Sequence, residues 1–372
     1  MNLTRKREAG AAPAPPDLSQ LQRWAAELGF SSLGSAQLTI SDEARSGLRA
    51  WLAAGMHGEM DYMARHERLR GHPGELMPGA VTALMVTLDY TPRAPRWLDH
   101  AWSTLADDGR AFVARYALGR DYHKVVRQRL QRLADRIAEA VGPFGYRAFC
   151  DSAPVMEVEL ATRAGLGWRG KHTLLINRRR GSLSFIGSLY TDLPLAEQAA
   201  ETDHCGRCSR CIEVCPTRAI IAPYRLDARR CIAYLTIEHA GSIPHALRPL
   251  IGNRIFGCDD CQLVCPWNKF AQPSAIDDFA PRRELESALL IDLFAWDEPT
   301  FAERTAGSPI RRIGHERWLR NLAVAIGNAT PQSPDDRARL MTALGGRASH
   351  PSEMVREHVA WAIAQLGSHT SA

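Results

Sequence analysis

Apolar residues recur at helical spacing in three segments of the N-terminal half of the chain. One apolar face predicts a helix over residues 17–29, with Asp17 as its N-cap, and the same pattern recurs over residues 41–55. A longer amphipathic helix is predicted over residues 122–141. The largely apolar, partly β-branched run at residues 80–90 predicts a buried strand.

Two further strands are predicted over residues 173–176 and 183–190, on either side of a turn at residues 177–181. Helices that alternate with isolated strands indicate an α/β or α+β domain, which we place at residues 17–195. The roughly 200 residues that precede the clustered cysteines are sufficient for a catalytic domain.

The C-terminal region, residues 281–372, is predicted to be helical. Residues 321–327 and 358–364 resemble each other at an offset close to the roughly 40 residues of HEAT or armadillo repeats. This similarity favours a HEAT-like helical domain. A pair of ordinary amphipathic helices is the alternative explanation.

Length and composition exclude some classes of protein. At about 150 residues per domain, 372 residues predict two or three domains. No stretch approaches the roughly 18 apolar residues of a membrane span, and residues 1–16 contain basic residues without the apolar segment of a secretory signal. We therefore expect a cytoplasmic protein with a flexible N-terminal tail.

The cysteines give the strongest chemical signal. Eight of the nine lie between Cys205 and Cys265. The first run, Cys205-x2-Cys208-x2-Cys211-x3-Cys215-Pro, has the spacing of ferredoxins that bind 4Fe-4S clusters. In two-cluster ferredoxins the fourth cysteine of such a run binds the other cluster, so a second ligand set is expected.

That second set is Cys231 with Cys258-x2-Cys261-x3-Cys265-Pro. Crossing the fourth cysteine of each run predicts a ferredoxin-like domain over residues 196–272 with two clusters. One cluster is assigned Cys205, Cys208, Cys211 and Cys265, and the other Cys215, Cys231, Cys258 and Cys261. Zinc sites and disulfides are the alternatives, but zinc sites do not need the third cysteine or the Cys-Pro endings. Cys150, outside the cluster, is predicted to be a buried apolar residue.

Two clusters relay electrons, so another group has to carry out the chemistry. The chain has neither the G-x-G-x-x-G fingerprint of a dinucleotide site nor a phosphate-binding P-loop motif. A nicotinamide or ATP site therefore has no support in the sequence.

Two places in the N-terminal domain offer catalytic groups. Asp151 lies between a predicted strand end and a helix start, where α/β sites commonly place such groups. Asp121, Tyr122 and His123 put a carboxylate, a phenol and an imidazole side by side. For both places, helix capping is the alternative interpretation.

Basic residues are unevenly distributed, although the net charge is only +5. Residues 160–191 contain no acid, and this segment attracts polyanions unless acids elsewhere in the fold offset it. The basic residues of interest there are Arg163, Arg169, Lys171, Arg178, Arg179 and Arg180. A second group comprises Arg311, Arg312, Arg317 and Arg320. The excess of Arg over Lys has a simpler explanation in genomic base composition.

The combination of motifs resembles the epoxyqueuosine reductase family over nearly the whole chain. The stretch from Cys231 to Asn268 is the most specific. The segments that carry the resemblance are His57-Gly-Glu-Met60, Tyr116-x3-Arg120-Asp-Tyr-His123, Asp151-Ser-Ala-Pro154, Gly167-Trp-Arg-Gly-Lys171, Cys231-Ile-Ala-Tyr-Leu-Thr-Ile-Glu238, Gly257-Cys-Asp-Asp-Cys-Gln262, Cys265-Pro-Trp-Asn268 and Arg320-Asn-Leu-Ala-Val-Ala-Ile-Gly-Asn328.

The resemblance implies a cobalamin-binding domain akin to that of reductive dehalogenases, the two 4Fe-4S clusters and a HEAT-like tail. It implies that cob(II)alamin is reduced by the clusters to cob(I)alamin, which converts epoxyqueuosine at the wobble position of tRNA to queuosine. The epoxide oxygen leaves as water after two electrons and two protons are added. Asp151 is implied to donate a proton, with help from His123, Asp121 and Tyr122.

The resemblance also implies contacts to cofactor and substrate. The corrin ring is expected near Lys171, His172, Cys258 and Asp259, although Arg169 and His172 depart from the residues expected at their positions. A tRNA partner gives the basic residues a role, which we assign to Arg178, Arg179, Arg180, Arg311, Arg312, Arg317 and Arg320.

Further expectations are an external electron donor such as a ferredoxin or flavodoxin, a monomeric state and no membrane contact. Two rival functions stay open from the sequence. One is a corrinoid and iron-sulfur reductase of another substrate, similar to reductive dehalogenases. The other is a non-enzymatic electron-transfer or RNA-binding module.

Overall fold

The computed structural model describes residues 16–282 and 285–368. The predicted N-terminal tail lies outside these residues, except for Pro16. Within the described ranges, no helix is both long enough and apolar enough to cross a membrane.

A four-stranded antiparallel sheet forms the centre of the N-terminal part. Its strands are β1 Ser32–Gln37, β2 Thr82–Asp89, β4 Tyr146–Phe149 and β7 Ser184–Thr191, in the spatial order β1-β2-β7-β4. Every residue of β2 is buried, as the apolar run predicts. Three two-residue strands lie outside this sheet: β3 Phe112–Val113, β5 Trp168–Arg169 and β6 Leu175–Ile176.

Helices cover both faces of the sheet, which makes this part α+β. On one face, α1 Leu18–Glu27 and α7 Tyr122–Val141 pack against the leucine and valine side chains of β2. On the other face lies α8 Glu157–Arg163. The remaining helices of this part are α2 Asp42–Ala53, α3 Asp61–Arg65, α4 Glu67–Gly71, α5 Pro73–Leu76 and α6 Trp97–Ala106.

The predicted helices and the long strands are confirmed. The Asp17 side chain accepts a hydrogen bond from the Gln20 amide at 2.7 Å, so Asp17 is the N-cap of α1. The strand predicted at residues 173–176 is wrong in its first half. Thr173 has a φ of +72°, which an extended strand does not allow, and only Leu175–Ile176 is paired.

The cysteine-rich part consists of short elements. They are α9 Arg210–Glu213, β8 Ile220–Ala222, β9 Arg225–Leu226, a π-helical turn Tyr234–Glu238, α10 Arg248–Ile251, β10 Arg254–Phe256, α11 Asp260–Leu263 and a 3-10 helix Pro266–Phe270. Strand β10 pairs in parallel with β3, which joins this part to the N-terminal part.

The C-terminal part contains five helices within the described residues: α12 Leu290–Phe294, α13 Glu298–Arg304, α14 Gly314–Gly327, α15 Pro334–Gly345 and α16 Glu353–Ser368. The two similar segments lie in α14 and α16, which pack against each other. Gly327 permits the close approach, because a Cβ there would lie 2.9 Å from the Cα of Ala362. The Asn321 side chain donates to the carbonyls of Thr236 and Ile255, so α14 also braces the cysteine-rich part.

Candidate functional site

The structure divides the eight clustered cysteines between two cavities. The first cavity, of about 790 Å³, is lined by Cys205, Cys208, Cys211 and Cys265. The second cavity, of about 450 Å³, is lined by Cys215, Cys231, Cys258 and Cys261. These are the two sets of four that the crossed spacing predicts.

Short helical turns place the two sets of thiols next to each other. Helices α9 and α11 lie against each other and carry Cys211 of the first set and Cys261 of the second. After Cys265 the chain enters the 3-10 helix that begins at Pro266, and after Cys215 it enters a turn at Pro216. The fourth cysteine of each run lines the cavity of the other set.

Desolvation affects several of the thiols. Burial, together with the neighbouring Cys265, Cys205 and Cys208, raises the pKa of Cys211 to about 11. Burial also raises the pKa of Cys261, with a contribution from Cys231. No three His, Cys, Asp or Glu side chains within the described ranges converge on a position for a single metal ion. The thiols instead surround cavities.

The second cavity is also lined by two of the four predicted catalytic residues, Asp151 and Tyr122. Asp151, Tyr122 and the apolar residues Leu175 and Ile186 form part of its wall, together with the thiols of the second set. A carboxylate and four thiols thus face one space, although the sequence places them in separate regions.

Asp151 is held by three neighbours at the end of β4. Its Oδ2 accepts a hydrogen bond from the Tyr122 hydroxyl and lies 3.1 Å from Nε2 of His123. Its backbone amide donates to Oε1 of Glu157 at 2.7 Å. The φ of Asp151 is +57°, a conformation that costs a non-glycine residue energy and that these contacts stabilise.

A second carboxylate orients the imidazole. Asp121 Oδ1 lies 2.8 Å from Nδ1 of His123 and also accepts the His123 amide at the start of α7. Arg312 reaches both residues from the C-terminal part, with 3.1 Å to Nε2 of His123 and 3.2 Å to Oδ2 of Asp121. Both roles considered for Asp121, helix cap and site residue, are therefore present.

The pKa values of these neighbouring residues shift in different directions. Desolvation raises the pKa of Asp151, but the hydrogen bonds from His123 and Tyr122 outweigh it and leave the pKa below its ordinary value. Desolvation lowers the pKa of His123, but Asp121 and Asp151 outweigh it, and the net shift is upward. The pKa of Asp121 falls to about 2: desolvation opposes the shift, while bonds to His123 and the charge of Arg312 favour it.

Glu157 is a site residue that sequence reasoning missed. Desolvation, reinforced by the negative charge of Asp151, raises its pKa to about 8. The carboxyl therefore holds a proton at neutral pH, directly beside Asp151. Its position in the first turn of α8 gives no signal in the sequence, where an acid is ordinary.

Glu238 and Tyr62 were also missed. Glu238 ends the π-helical turn, and burial together with the charge of Asp151 raises its pKa. Burial and the neighbouring Glu238 raise the pKa of Tyr62 to about 12. A π-helical turn is frequent at functional sites, but it is visible only in the structure.

The predicted corrin contacts do not all lie at the second cavity. Cys258 and the fully buried Asp259 do line it, and Asp259 accepts the Arg115 amide at 2.6 Å. Lys171 does not: its ammonium donates to the carbonyls of Gly206 and Cys208, so it lines the first cavity instead. The corrin contact expected for Lys171 therefore stays a prediction, and a corrin ring in the second cavity alone would not meet its ammonium.

His172 lies between the two cavities and lines both. It is 3% exposed, its Nδ1 accepts the Leu174 amide, and its Nε2 is buried without a hydrogen-bond partner among the described residues. Burial lowers its pKa to about 4, so the ring is neutral. An unsatisfied buried nitrogen is uncommon and suits a position where a bound group supplies the partner.

The predicted tRNA-binding arginines occupy different environments. Arg178 and Arg179 are exposed and line the first cavity. Arg180 is paired with Asp89 at 2.6 Å. Arg311 is exposed, Arg312 is half exposed at the catalytic group, and Arg317 donates to the carbonyls of Ile237, Ile313 and Arg312.

The predicted tRNA contact of Arg320 is wrong. It is fully buried, and its guanidinium donates to the carbonyls of Leu235, His239 and Gly241. A side chain with no solvent exposure cannot contact tRNA. Its role is to satisfy backbone carbonyls around the π-helical turn.

Two family models match the chain. Residues 70–152 match the model described as "Epoxyqueuosine reductase QueG, DUF1730", and residues 204–268 match a 4Fe-4S double cluster binding domain. The chain is 58% identical to an epoxyqueuosine reductase of Alicycliphilus denitrificans, over 93% of this chain and 97% of that protein. It is 50% identical to the one of Escherichia coli K12, over 94% and 91% of the two chains.

A solved structure has the same fold. The crystal structure of an epoxyqueuosine reductase with an epoxyqueuosine-modified stem loop of tyrosine tRNA superposes with a TM-score of 0.82 at 26% identity. The match covers 94% of this chain and 90% of that one.

Proposed function

The chain belongs to the epoxyqueuosine reductase family, and we propose that it reduces epoxyqueuosine in tRNA to queuosine at the second cavity. The observation that carries the proposal is the composition of that cavity. Asp151, with its proton-holding neighbours, and the second set of four thiols line the same space. A reaction that consumes electrons and protons together needs this combination.

The thiols fit two 4Fe-4S clusters. Each cavity is lined by four cysteines, which is the ligand number of such a cluster. The double-cluster family model covers all eight. We assign Cys205, Cys208, Cys211 and Cys265 to the first cluster and Cys215, Cys231, Cys258 and Cys261 to the second.

The lining of the second cavity has groups that suit a corrinoid. Leu175, Ile186 and Ile232 contribute apolar wall, as is usual for cofactor sites. The unsatisfied Nε2 of His172 offers a polar group to a ligand in this space. When bound, cobalamin supplies a strongly reducing cobalt centre, a chemistry that no side chain of the chain provides.

The chain's own residues manage the protons. Conversion of the epoxide to the alkene takes up two electrons and two protons and releases one water. Asp151 has a lowered pKa, whereas His123, 3.1 Å from it, has a raised one. Asp151 therefore passes a proton from His123 to the departing oxygen, as general acid and relay. Glu157 holds a further proton beside it.

Asp121 and Tyr122 position this relay. Asp121 fixes the His123 ring through Nδ1, so that Nε2 faces Asp151. The Tyr122 hydroxyl donates to Oδ2 of Asp151. The Tyr122 ring stacks on Phe185, with 4.3 Å between the ring centroids. Both act on the geometry of Asp151.

The C-terminal helices lie where a tRNA approaches the site. Arg311 is exposed, and Arg312 reaches from the same turn to the catalytic group. We assign phosphate contacts of the tRNA to Arg311 and Arg317, whereas Arg312 is engaged with Asp121. Helices α14 to α16 form a HEAT-like support for this surface.

The test is mass spectrometry of nucleosides from epoxyqueuosine-containing tRNA after anaerobic incubation with the reconstituted protein and a reductant, with and without cobalamin. Cobalamin-dependent loss of one oxygen is the expected result. Unchanged tRNA with about eight iron atoms per chain, the content of two clusters, would contradict the substrate and leave an electron-transfer protein. Activity on an organohalide instead would favour a reductase similar to the dehalogenases.

A further inference from the structure

The electrons for this reaction come from outside the chain. Two are consumed for each epoxide, and the sequence offers no nicotinamide-binding fingerprint that would let the protein take a hydride directly. If the proposed function holds, a separate carrier has to transfer electrons to one of the two clusters. Its docking site is therefore a surface of this molecule.

The first cavity is the one open to such a carrier. Several residues of its lining are exposed on the surface, and Asp151 and the other catalytic groups are absent from that lining. His172 forms a partition between the two cavities. A carrier at the first cavity would be next to the first cluster without entering the space where the substrate reacts.

Four exposed cations surround this cavity: Arg178, Arg179, Arg210 and Lys269, which we call the basic rim. None of the described residues lining the cavity is acidic. None of the four makes an ion pair with another described residue. Their charges are thus available to a partner, in contrast to Arg180, which is bound to Asp89.

Hydrogen bonds hold the backbone that carries Arg178, Arg179 and Lys269 of the basic rim. Arg178 and Arg179 lie at the tip of a turn closed by two hydrogen bonds between Asn177 and Gly181. The buried side chain of Asn268 accepts the Ser182 amide at 2.6 Å, which fixes this turn to the 3-10 helix carrying Lys269. A prearranged surface loses little conformational entropy on binding.

Aromatic side chains accompany the cations. Phe270 is 39% exposed and Trp267 is half-buried, and both line the cavity beside Pro266. Arg and aromatic residues are enriched at protein interfaces, where the aromatic groups supply the contact area.

We propose that the basic rim docks an acidic one-electron carrier protein, which reduces the first cluster. In each encounter one electron passes from the reduced centre of the carrier to the cluster, and two encounters supply one epoxide reduction. The sequence assigned Arg178 and Arg179 to tRNA instead. A tRNA on the rim would cover the thiols that receive electrons, while its modified nucleoside has to reach Asp151 in the other cavity.

The test compares two charge-reversed holoenzymes of equal net charge. The rim variant carries Arg178→Glu, Arg179→Glu and Lys269→Glu. The control carries Arg23→Glu, Arg132→Glu and Arg339→Glu, at exposed positions outside the lining of either cavity. Cluster reduction is followed by stopped-flow bleaching, with reduced flavodoxin as the acidic carrier and reduced methyl viologen as a small cationic donor.

The rim variant is expected to be reduced by flavodoxin about tenfold or more slowly than the control at low salt, with a smaller difference at high salt. Methyl viologen, as a cation, should reduce the rim variant at least as fast as the control. Flavodoxin affinity, measured by titration without turnover, should fall in the rim variant alone. This binding result decides the docking site even if epoxyqueuosine turnover fails, so failure of the proposed function is distinguished.

Equal flavodoxin rates and affinities in both variants would overturn the proposal. A loss of tRNA affinity in the rim variant, with flavodoxin reduction unchanged, would also overturn it and return Arg178 and Arg179 to the tRNA.

Discussion

The two cavities are lined by thiol sets of the same composition but by different neighbours. Around the first, the other ionisable groups are mainly exposed cations such as Arg178, Arg179 and Lys269. Around the second, they are acids and phenols, among them Asp151 and Glu157. We infer that the residues around each cluster, rather than its cysteine ligands, determine the function of that cluster.

Each environment suits the charge that passes through it. Adding an electron to a cluster makes it more negative, and nearby cations stabilise that change and attract an acidic donor. At the second cavity the incoming electrons are matched by protons, and the raised pKa of His123 and of Glu157 favours proton binding next to Asp151. Electron uptake and proton-coupled chemistry therefore occur in separate spaces.

The largest expected effect comes from removing one thiol of either set. Cys211→Ala and Cys261→Ala should each abolish turnover, because the electron path needs both clusters. Iron should fall from about eight to about four atoms per chain in each. Cys150→Ala, which alters the cysteine outside both sets, should keep about eight.

Iron analysis and nucleoside mass spectrometry check this prediction. Full turnover in the Cys211 variant with about four iron atoms would contradict the two-cluster path and remove the functional difference between the cavities.

Asp151→Asn should lower turnover by roughly 10² to 10⁴-fold, the usual contribution of a positioned acid. The amide keeps the size of the side chain but cannot pass on a proton from His123. Flavodoxin should still reduce the clusters at the normal rate, because the first cavity is untouched. Single-turnover kinetics and stopped-flow bleaching measure the two effects, and full activity would disprove the role of Asp151.

Alanine variants of the neighbouring residues Arg311 and Arg312 should have different kinetic effects, one on tRNA binding and the other on catalysis. Arg312→Ala removes a charged hydrogen bond to Asp121, worth about 1.5 to 3 kcal/mol, and should lower kcat by roughly tenfold or more. Arg311→Ala removes an exposed charge and should raise KM for tRNA instead. The same split of kcat and KM in both variants would refute the distinction.

Local patterns were sufficient for much of the site. The thiol sets follow from cysteine spacing, and Asp121, Tyr122 and His123 come together because they are consecutive at the start of α7. The α+β sheet and the long helix follow from apolar periodicity. These features depend on neighbours in sequence, which a pattern can detect.

Contacts and pKa shifts that arise only from tertiary packing could not be predicted from the sequence. Arg312 meets His123 across a separation of 189 positions, and Glu157 acquires its pKa only by burial beside Asp151. The assignment of Arg320 failed because an arginine is expected to be exposed, whereas here three backbone carbonyls compensate its burial. The contact of the Lys171 ammonium with carbonyls of the first cysteine run also arises only from tertiary packing.

The smallest expected effect concerns the proton on Glu157. Its pKa is about 8 in the folded chain against 4.5 ordinarily, so between these values the folded state retains a proton that the unfolded state has released. The contribution of Glu157 to the free energy of unfolding is therefore complete below about pH 4.5, and it is lost as the pH rises through about 8. The groups around it are Asp151, His123 and Arg70, with Tyr190 and Cys150 close by.

Glu157→Gln should reduce the fall in the urea midpoint between about pH 5 and pH 9, while Glu159→Gln, in the same helical turn, should keep the wild-type fall. Equal slopes in all three proteins would mean that Glu157 is ionised and that the second cavity holds one proton fewer than its environment indicates.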